Sequence, residues 1–206
     1  PWLNLLPVPK KVVFRNGICS LPDNVTFSLP QADRAVADSF FTGMSGIRAA
    51  YRQGGGFLVC ARDTGLRGEA YRLTLAPGGV RIFYGTPEGL HDALTSLKVL
   101  WRNYSNVIPC VDLEDAPDLA VRGVMLDIGR NKIPKLETLL ELAQLLADLK
   151  YNHLELYIEG FAFAYPSFTE LWEGRETPLT GSEIRQLDAF CRKNFIDLVP
   201  NQNTFG

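Results

Sequence analysis

Apolar and polar positions along the first 118 residues change period every few residues, which predicts short mixed elements. Lys11-Val12-Val13-Phe14 and Val25-Thr26-Phe27-Ser28 read as strands, bounded by Asn, Gly and Pro. Asp33 to about Tyr51 reads as a helix interrupted by Gly43 and Gly46, and 57–61 as the strand after it. Residues 71–75 and 80–84 each alternate, and Ala76-Pro77-Gly78-Gly79 between them supplies turn chemistry, so they predict a β-hairpin. Thr86 suits an N-cap and Pro87 the first helical position. Leu90, Ala93, Leu94, Leu97, Leu100 and Trp101 then recur at helical spacing, while His91 lies off that stripe and reads as a surface histidine. An antiparallel-type sheet covered by helices follows, an α+β domain over residues 1–118.

Pro109 to Asp118 holds two prolines and four acids, the composition of a linker. Beyond it the rhythm lengthens. Val121 to Asp127 reads as a strand, and Pro134 to Tyr151 as an amphipathic helix with Leu136, Leu139, Leu140, Ala143, Leu146, Ala147 and Leu149 on its apolar side. His153 to Glu159 reads as a second strand. Thr180-Gly181-Ser182-Glu183 fits a capping box before a helix to about Asn194, and Phe195 to Pro200 reads as a third strand. Helical crossovers demand parallel strands, so residues 119–206 predict either a (β/α) barrel or a doubly wound sheet.

Composition narrows the function classes. At 206 residues the chain is about one and a half domains long. Its 46% hydrophobic and 21% charged positions are ordinary for a globular protein, which argues against disorder. The charge of −2, split +1 and −3 at residue 118, gives no basic stripe and so no nucleic-acid partner. No apolar run reaches roughly 18 residues, so no membrane span is expected. Cys19, Cys60, Cys110 and Cys191 are dispersed, without C-x-x-C or a histidine at ligand spacing, so no metal and no cofactor is expected. Cys191 reads as a buried reduced thiol. Gly54-Gly55-Gly56 lacks the Lys-Ser/Thr of a phosphate loop and reads as a plain turn. The opening Pro1-Trp2, with no leader pattern, is expected to mark a processing or cloning boundary, and the compartment stays open.

Chemistry is sought at the carboxyl ends of parallel strands, where ligands meet both candidate architectures. The first end offers Asp127 and then Arg130 with Asn131. A guanidinium fork can donate to a diol, or the two charges can simply form a structural ion pair. The second end offers Glu159, and alternation places Glu155, Tyr157 and Glu159 on one face, Leu154, Leu156 and Ile158 on the other. Two acids on a buried strand are costly unless paired or used. Phe161, Phe163, Tyr165, Phe168 and Trp172 follow in a loop, either to stack on a sugar or to build a local core. The third end is Asn201-Gln202-Asn203, amides that line a polar pocket or cap a loop.

Three strings carry a family resemblance. "EAYRLTLAPGGVRIFYGTPEGLHDALTSLKVL", "IPCVDLEDAPDLAVRGVMLDIGRNKIP" and "LVPNQNTFG" resemble family 20 glycoside hydrolases, the β-N-acetylhexosaminidases. The specific part is R-G-x-M-L-D-x-x-R after an E-D-A-P linker. The resemblance implies an α+β domain preceding a catalytic TIM-type (β/α) barrel, of which this chain supplies only the first three strands, an incomplete barrel. It implies that Arg130 binds hydroxyls of a terminal sugar, with Asp127 as its support and Glu159 nearby. Asn201 and Asn203 stand where much of the family has Glu and Asp, which implies a divergent branch. The family's catalysis is substrate-assisted, and its Asp-Glu pair follows strand four, so no catalytic residue is expected within this chain. An exo-acting β-N-acetylhexosaminidase for N-acetylglucosamine or N-acetylgalactosamine is the expected parent, with this piece inactive alone. The alternatives are a non-catalytic glycan- or protein-binding module, or a self-sufficient β-α-β-α-β domain with other chemistry. The expected partner is a carbohydrate, and open barrel edges predict self-association of the piece.

Overall fold

The computed structural model describes residues 3–44, 46–105, 107–130, 132–174 and 177–204, so Pro1-Trp2, Asn131 and Phe205-Gly206 lie outside the described residues. The chain forms two compact units, Pro1–Asp118 and Leu119–Gly206.

The first unit is built on a seven-stranded sheet of order β1-β7-β5-β6-β4-β2-β3. Its strands are β1 (Lys11–Cys19), β2 (Asn24–Ser28), β3 (Arg48–Tyr51), β4 (Leu58–Arg62), β5 (Tyr71–Ala76), β6 (Gly79–Tyr84) and β7 (Ile108–Asp115). Helix α1 (Arg34–Thr42), after a single turn at Gln31–Asp33, and helix α2 (Pro87–Tyr104) complete it. The hairpin β5–β6 pairs Tyr71 with Tyr84 and Ala76 with Gly79, as the alternating pattern predicts. Thr86 caps α2 by accepting the Gly89 N–H at 3.4 Å. Leu90, Ala93, Leu94, Leu97 and Leu100 bury against Tyr71, Leu73, Leu75, Val80 and Ile82, which forms the unit's core. Gly79 is required where it stands: its φ is 137°, and a Cβ there would lie 2.4 Å from the Phe57 carbonyl oxygen.

The first unit departs from expectation at four places. The helix expected to run to Tyr51 ends at Thr42, and Arg48–Tyr51 is instead the edge strand β3, parallel to β2. The sheet is mixed, because β3, β2, β4 and β6 run parallel while β1, β7, β5 and β6 pair antiparallel. The expected linker at 109–118 holds β7, which sits between β1 and β5 with Val111 and Leu113 buried. Its acids point outward to cross-strand cations, Glu114 to Lys11 at 2.7 Å and Asp112 to Arg15. His91 is also less open than expected: its side chain is 16% exposed and Nδ1 lies 3.6 Å from Asp92.

The second unit is a three-stranded parallel sheet of order β10-β9-β8, with β8 at Gly123–Asp127, β9 at His153–Ile158 and β10 at Asp197–Gln202. Helix α3 (Leu136–Asp148) crosses from β8 to β9, and a short helix α4 (Thr169–Trp172) with α5 (Gly181–Lys193) from β9 to β10. Leu139, Ala143 and Leu146 of α3 join Leu187 and Cys191 of α5 in one core with Leu154, Leu156 and Ile158. Both long helices thus cover one face of the sheet. The other face carries Met125, Asp127, Glu155, Tyr157 and Asn201 and is half-buried or exposed. Both acids on that face have polar partners, Glu155 in Asn201 and Glu159 in Arg130 and Tyr157, which offsets the cost of half-burying them. The third strand lies two residues later than 195–200, so Asn201 and Gln202 are strand residues. All four cysteines are free and buried, and burial pushes the Cys191 thiol up to about 11.

Candidate functional site

Parallel register sets which side chains meet at the carboxyl ends. Asp127 of β8 stands level with Tyr157 of β9, and Asn201 of β10 faces Tyr157 from the other side. Residues on one face of neighbouring parallel strands therefore assemble a polar rim from Asp127, Arg130, Tyr157, Glu159 and Asn203.

Asp127, Arg130 and Glu159, singled out from the sequence, come together. Arg130 Nε lies 3.3 Å from Asp127 Oδ2 and 3.4 Å from Glu159 Oε2. Gly129 N–H donates to the remaining Asp127 oxygen, Oδ1, at 2.9 Å, which fixes the turn that presents Arg130. The Arg130 side chain is 68% exposed, so the pair is not locked away from solvent as a purely internal bridge would be. Asn131 lies outside the described residues.

Two residues that shape the rim were not singled out as site residues in the sequence. Tyr157 donates its hydroxyl to Glu159 Oε2 at 3.3 Å and accepts Asn203 Nδ2 at 2.9 Å. The Arg130 guanidinium carbon lies 5.8 Å from the Tyr157 ring centroid. Hydrogen bonding to Tyr157 and then Glu159, with the charge of Asp127, raises the guanidinium pKa. Gly129 is the second: a Cβ there would sit 2.6 Å from the Glu159 backbone nitrogen. The signal for Tyr157 was its place between Glu155 and Glu159 in the alternating strand. Nothing in the local sequence marks Gly129, because the close approach joins residues 30 positions apart.

One layer deeper, Asn201 Nδ2 donates to Glu155 Oε1 at 2.5 Å, and His153 Nε2 lies 3.6 Å from Glu155 Oε2. Glu155 is thus held by neighbours of its own and is not part of the rim. Gln202 donates to backbone carbonyls of Ile158 and Asn203, and its carbonyl oxygen accepts the Tyr165 hydroxyl. The amides therefore divide: Asn203 reaches the rim, Asn201 the layer beneath, and Gln202 the outer flank. The aromatic loop forms a small cluster, with Phe163 and Tyr165 edge to face at 5.0 Å and Trp172 Nε1 donating to the Tyr165 carbonyl at 3.1 Å. Phe168 stands apart at 51% exposure. Among the described residues no three His, Cys, Asp or Glu side chains are grouped to hold a metal ion.

Two carboxylates accepting and one guanidinium donating at an open rim suit neutral vicinal hydroxyls. The first unit settles the lineage, since residues 3–116 match the family model for glycosyl hydrolase family 20, domain 2. The chain belongs to glycosyl hydrolase family 20. A β-hexosaminidase of Akkermansia muciniphila is 29% identical over 154 residues, which cover 66% of this chain and 31% of that protein. The fold is shared with a β-N-acetylhexosaminidase of Bacteroides fragilis at TM-score 0.82 and 19% identity, covering 95% of this chain and 44% of that one. An exo-β-N-acetylglucosaminidase of Vibrio harveyi, solved with N-acetylglucosamine, gives TM-score 0.84 at 19% identity over 96% of this chain and 36% of that one. The family 20 chain thus spans about a third of its curated relative and under half of either solved enzyme.

Proposed function

We propose that this chain is the N-terminal part of a retaining, exo-acting β-N-acetylhexosaminidase that removes terminal N-acetylglucosamine or N-acetylgalactosamine. Residues 1–118 form the α+β domain that precedes the catalytic barrel, and residues 119–206 form the first three strands of that TIM-type barrel. The observation that carries the reading is the convergence of Asp127, Arg130 and Glu159 at the carboxyl ends of adjacent parallel strands in a family 20 chain. Helices on one sheet face only, with a polar opposite face, support a singly wound barrel over a doubly wound sheet.

In this reading Arg130 donates to sugar hydroxyls, Asp127 aims it, and Glu159 braces it while accepting a further hydroxyl. The acetamido oxygen of the substrate attacks the anomeric carbon, and an acid supplied from beyond this chain protonates the leaving oxygen. This chain by itself then binds weakly and hydrolyses nothing.

The test is hydrolysis of p-nitrophenyl N-acetyl-β-glucosaminide by the full-length protein, with product configuration read by NMR. Arg130→Ala should cut kcat/KM at least about 100-fold, as removal of a charge-assisted fork does. Glycan binding without hydrolysis by the full-length protein would sink the enzyme reading and favour a binding module.

A further inference from the structure

A single hydroxyl ties the three strand ends together. Asn203 Nδ2 donates to the Tyr157 hydroxyl at 2.9 Å, and that hydroxyl donates to Glu159 Oε2 at 3.3 Å. The same Glu159 oxygen accepts Arg130 Nε at 3.4 Å. Asn203 is anchored in turn, because its backbone N–H donates to the Ile158 carbonyl at 2.9 Å. A phenol has one proton, so with Asn203 donating to it, that proton is committed to Glu159. The path crosses β10, β9 and the turn after β8.

We propose that Tyr157 is a positioning residue for Arg130, rather than a filler of space on the sheet face. Its hydroxyl sets the Glu159 carboxylate, and that carboxylate shares Arg130 Nε with Asp127. The closest approach of Arg130 to both carboxylates is through Nε, so the end offered to a ligand is aimed by whatever holds Nε. Without the hydroxyl, Glu159 loses its tether and Arg130 keeps Asp127 alone. The inference rests on reading the rim as a sugar site, and it adds a residue to that site that touches the ligand only through others. It also gives Asn203 a role: the amide orients the phenol, where a carboxylate would compete with Glu159 for its single proton.

Tyr157→Phe removes the hydroxyl and keeps the ring. In the full-length protein it should raise KM for p-nitrophenyl N-acetyl-β-glucosaminide about 5–10-fold, with kcat within about twofold. Asn203→Ala should move KM in the same direction, and the double variant should be no worse than the worse single one, because both act along one path. In the 206-residue chain, the nitrogen NMR signal of Arg130 Nε should shift in either variant. An unchanged KM, a loss confined to kcat, or additive effects in the double variant would overturn the proposal. A wild-type protein that neither binds nor turns over an N-acetylhexosaminide would sink the sugar reading instead. The Arg130 Nε signal then decides the positioning role by itself, since a space-filling tyrosine would leave it unmoved.

Discussion

Gly129 shows how little room the rim allows. An added Cβ would lie 2.6 Å from the Glu159 nitrogen and 2.8 Å from the Glu159 Cβ, and neither atom belongs to a side-chain end that can swing away. Gly129→Ala should push the Asp127–Arg130 turn off Glu159 at a cost of about 1–3 kcal/mol. Thermal unfolding would report the lost stability, and calorimetry with N-acetylglucosamine the lost binding; an unchanged melting temperature would refute the close approach. Asp33 is the corresponding fixed point of the first unit. At 1% exposure it accepts two hydrogen bonds from Arg62, at 2.6 and 2.8 Å, and one from the Tyr84 hydroxyl at 2.6 Å. The Arg62 hydrogen bonds hold its carboxyl below the ordinary range, against the desolvation that raises it. A folded pKa below the unfolded value stabilises the protein above about pH 4 and is lost as pH falls through the folded pKa. Asp33→Asn should therefore flatten the acid side of the melting-temperature profile, below about pH 4, and leave its slope near neutrality unchanged.

Elements were legible where local chemistry and burial agree. The capping box before α5 is complete: Thr180 Oγ1 accepts the Glu183 N–H at 3.2 Å, and Glu183 Oε2 accepts the Thr180 N–H at 2.8 Å. Thr180→Ala should cost about 1 kcal/mol, seen as a lower denaturant midpoint at unchanged slope. Where the two cues conflict, pairing wins. Arg48-Ala49-Ala50-Tyr51 has helical composition, yet hydrogen bonding to β2 makes it a strand. Prolines and acids in 109–118 suggested a linker, although Val111-Asp112-Leu113-Glu114 alternates as a strand does. Pro109 is tolerated because it pairs with Ile18 beside the irregular register of β1, where the ladder is already broken.

At the scale of the molecule, each unit has its own core and the second ends in open edges. Among the described residues β8 and β10 each pair on one side only. Beside β10 runs a groove of about 470 Å³ lined by Ile158, Phe163, Ile184, Leu198 and Pro200. Unpaired strand edges next to apolar grooves promote association. The 206-residue chain should therefore run as a dimer or larger species in light scattering, and Leu198→Lys should shift it toward monomer. A monomeric wild-type chain that melts cooperatively would contradict this.

The sequence by itself determined which residues could share a face, where helices start, and that strands of the second half run parallel. These follow from side-chain periods, caps and crossover lengths, all of which act within a few residues. It also brought forward Asp127, Arg130 and Glu159, because strand ends can be read from where alternation stops. Only the tertiary structure decided that β7 lies inside the sheet, that the sheet is mixed, and that Tyr157 joins Asn203 to Glu159 beside Gly129. Those contacts depend on strand order and register between distant segments. Local pattern sets the direction in which a side chain points, and long-range pairing sets what it meets.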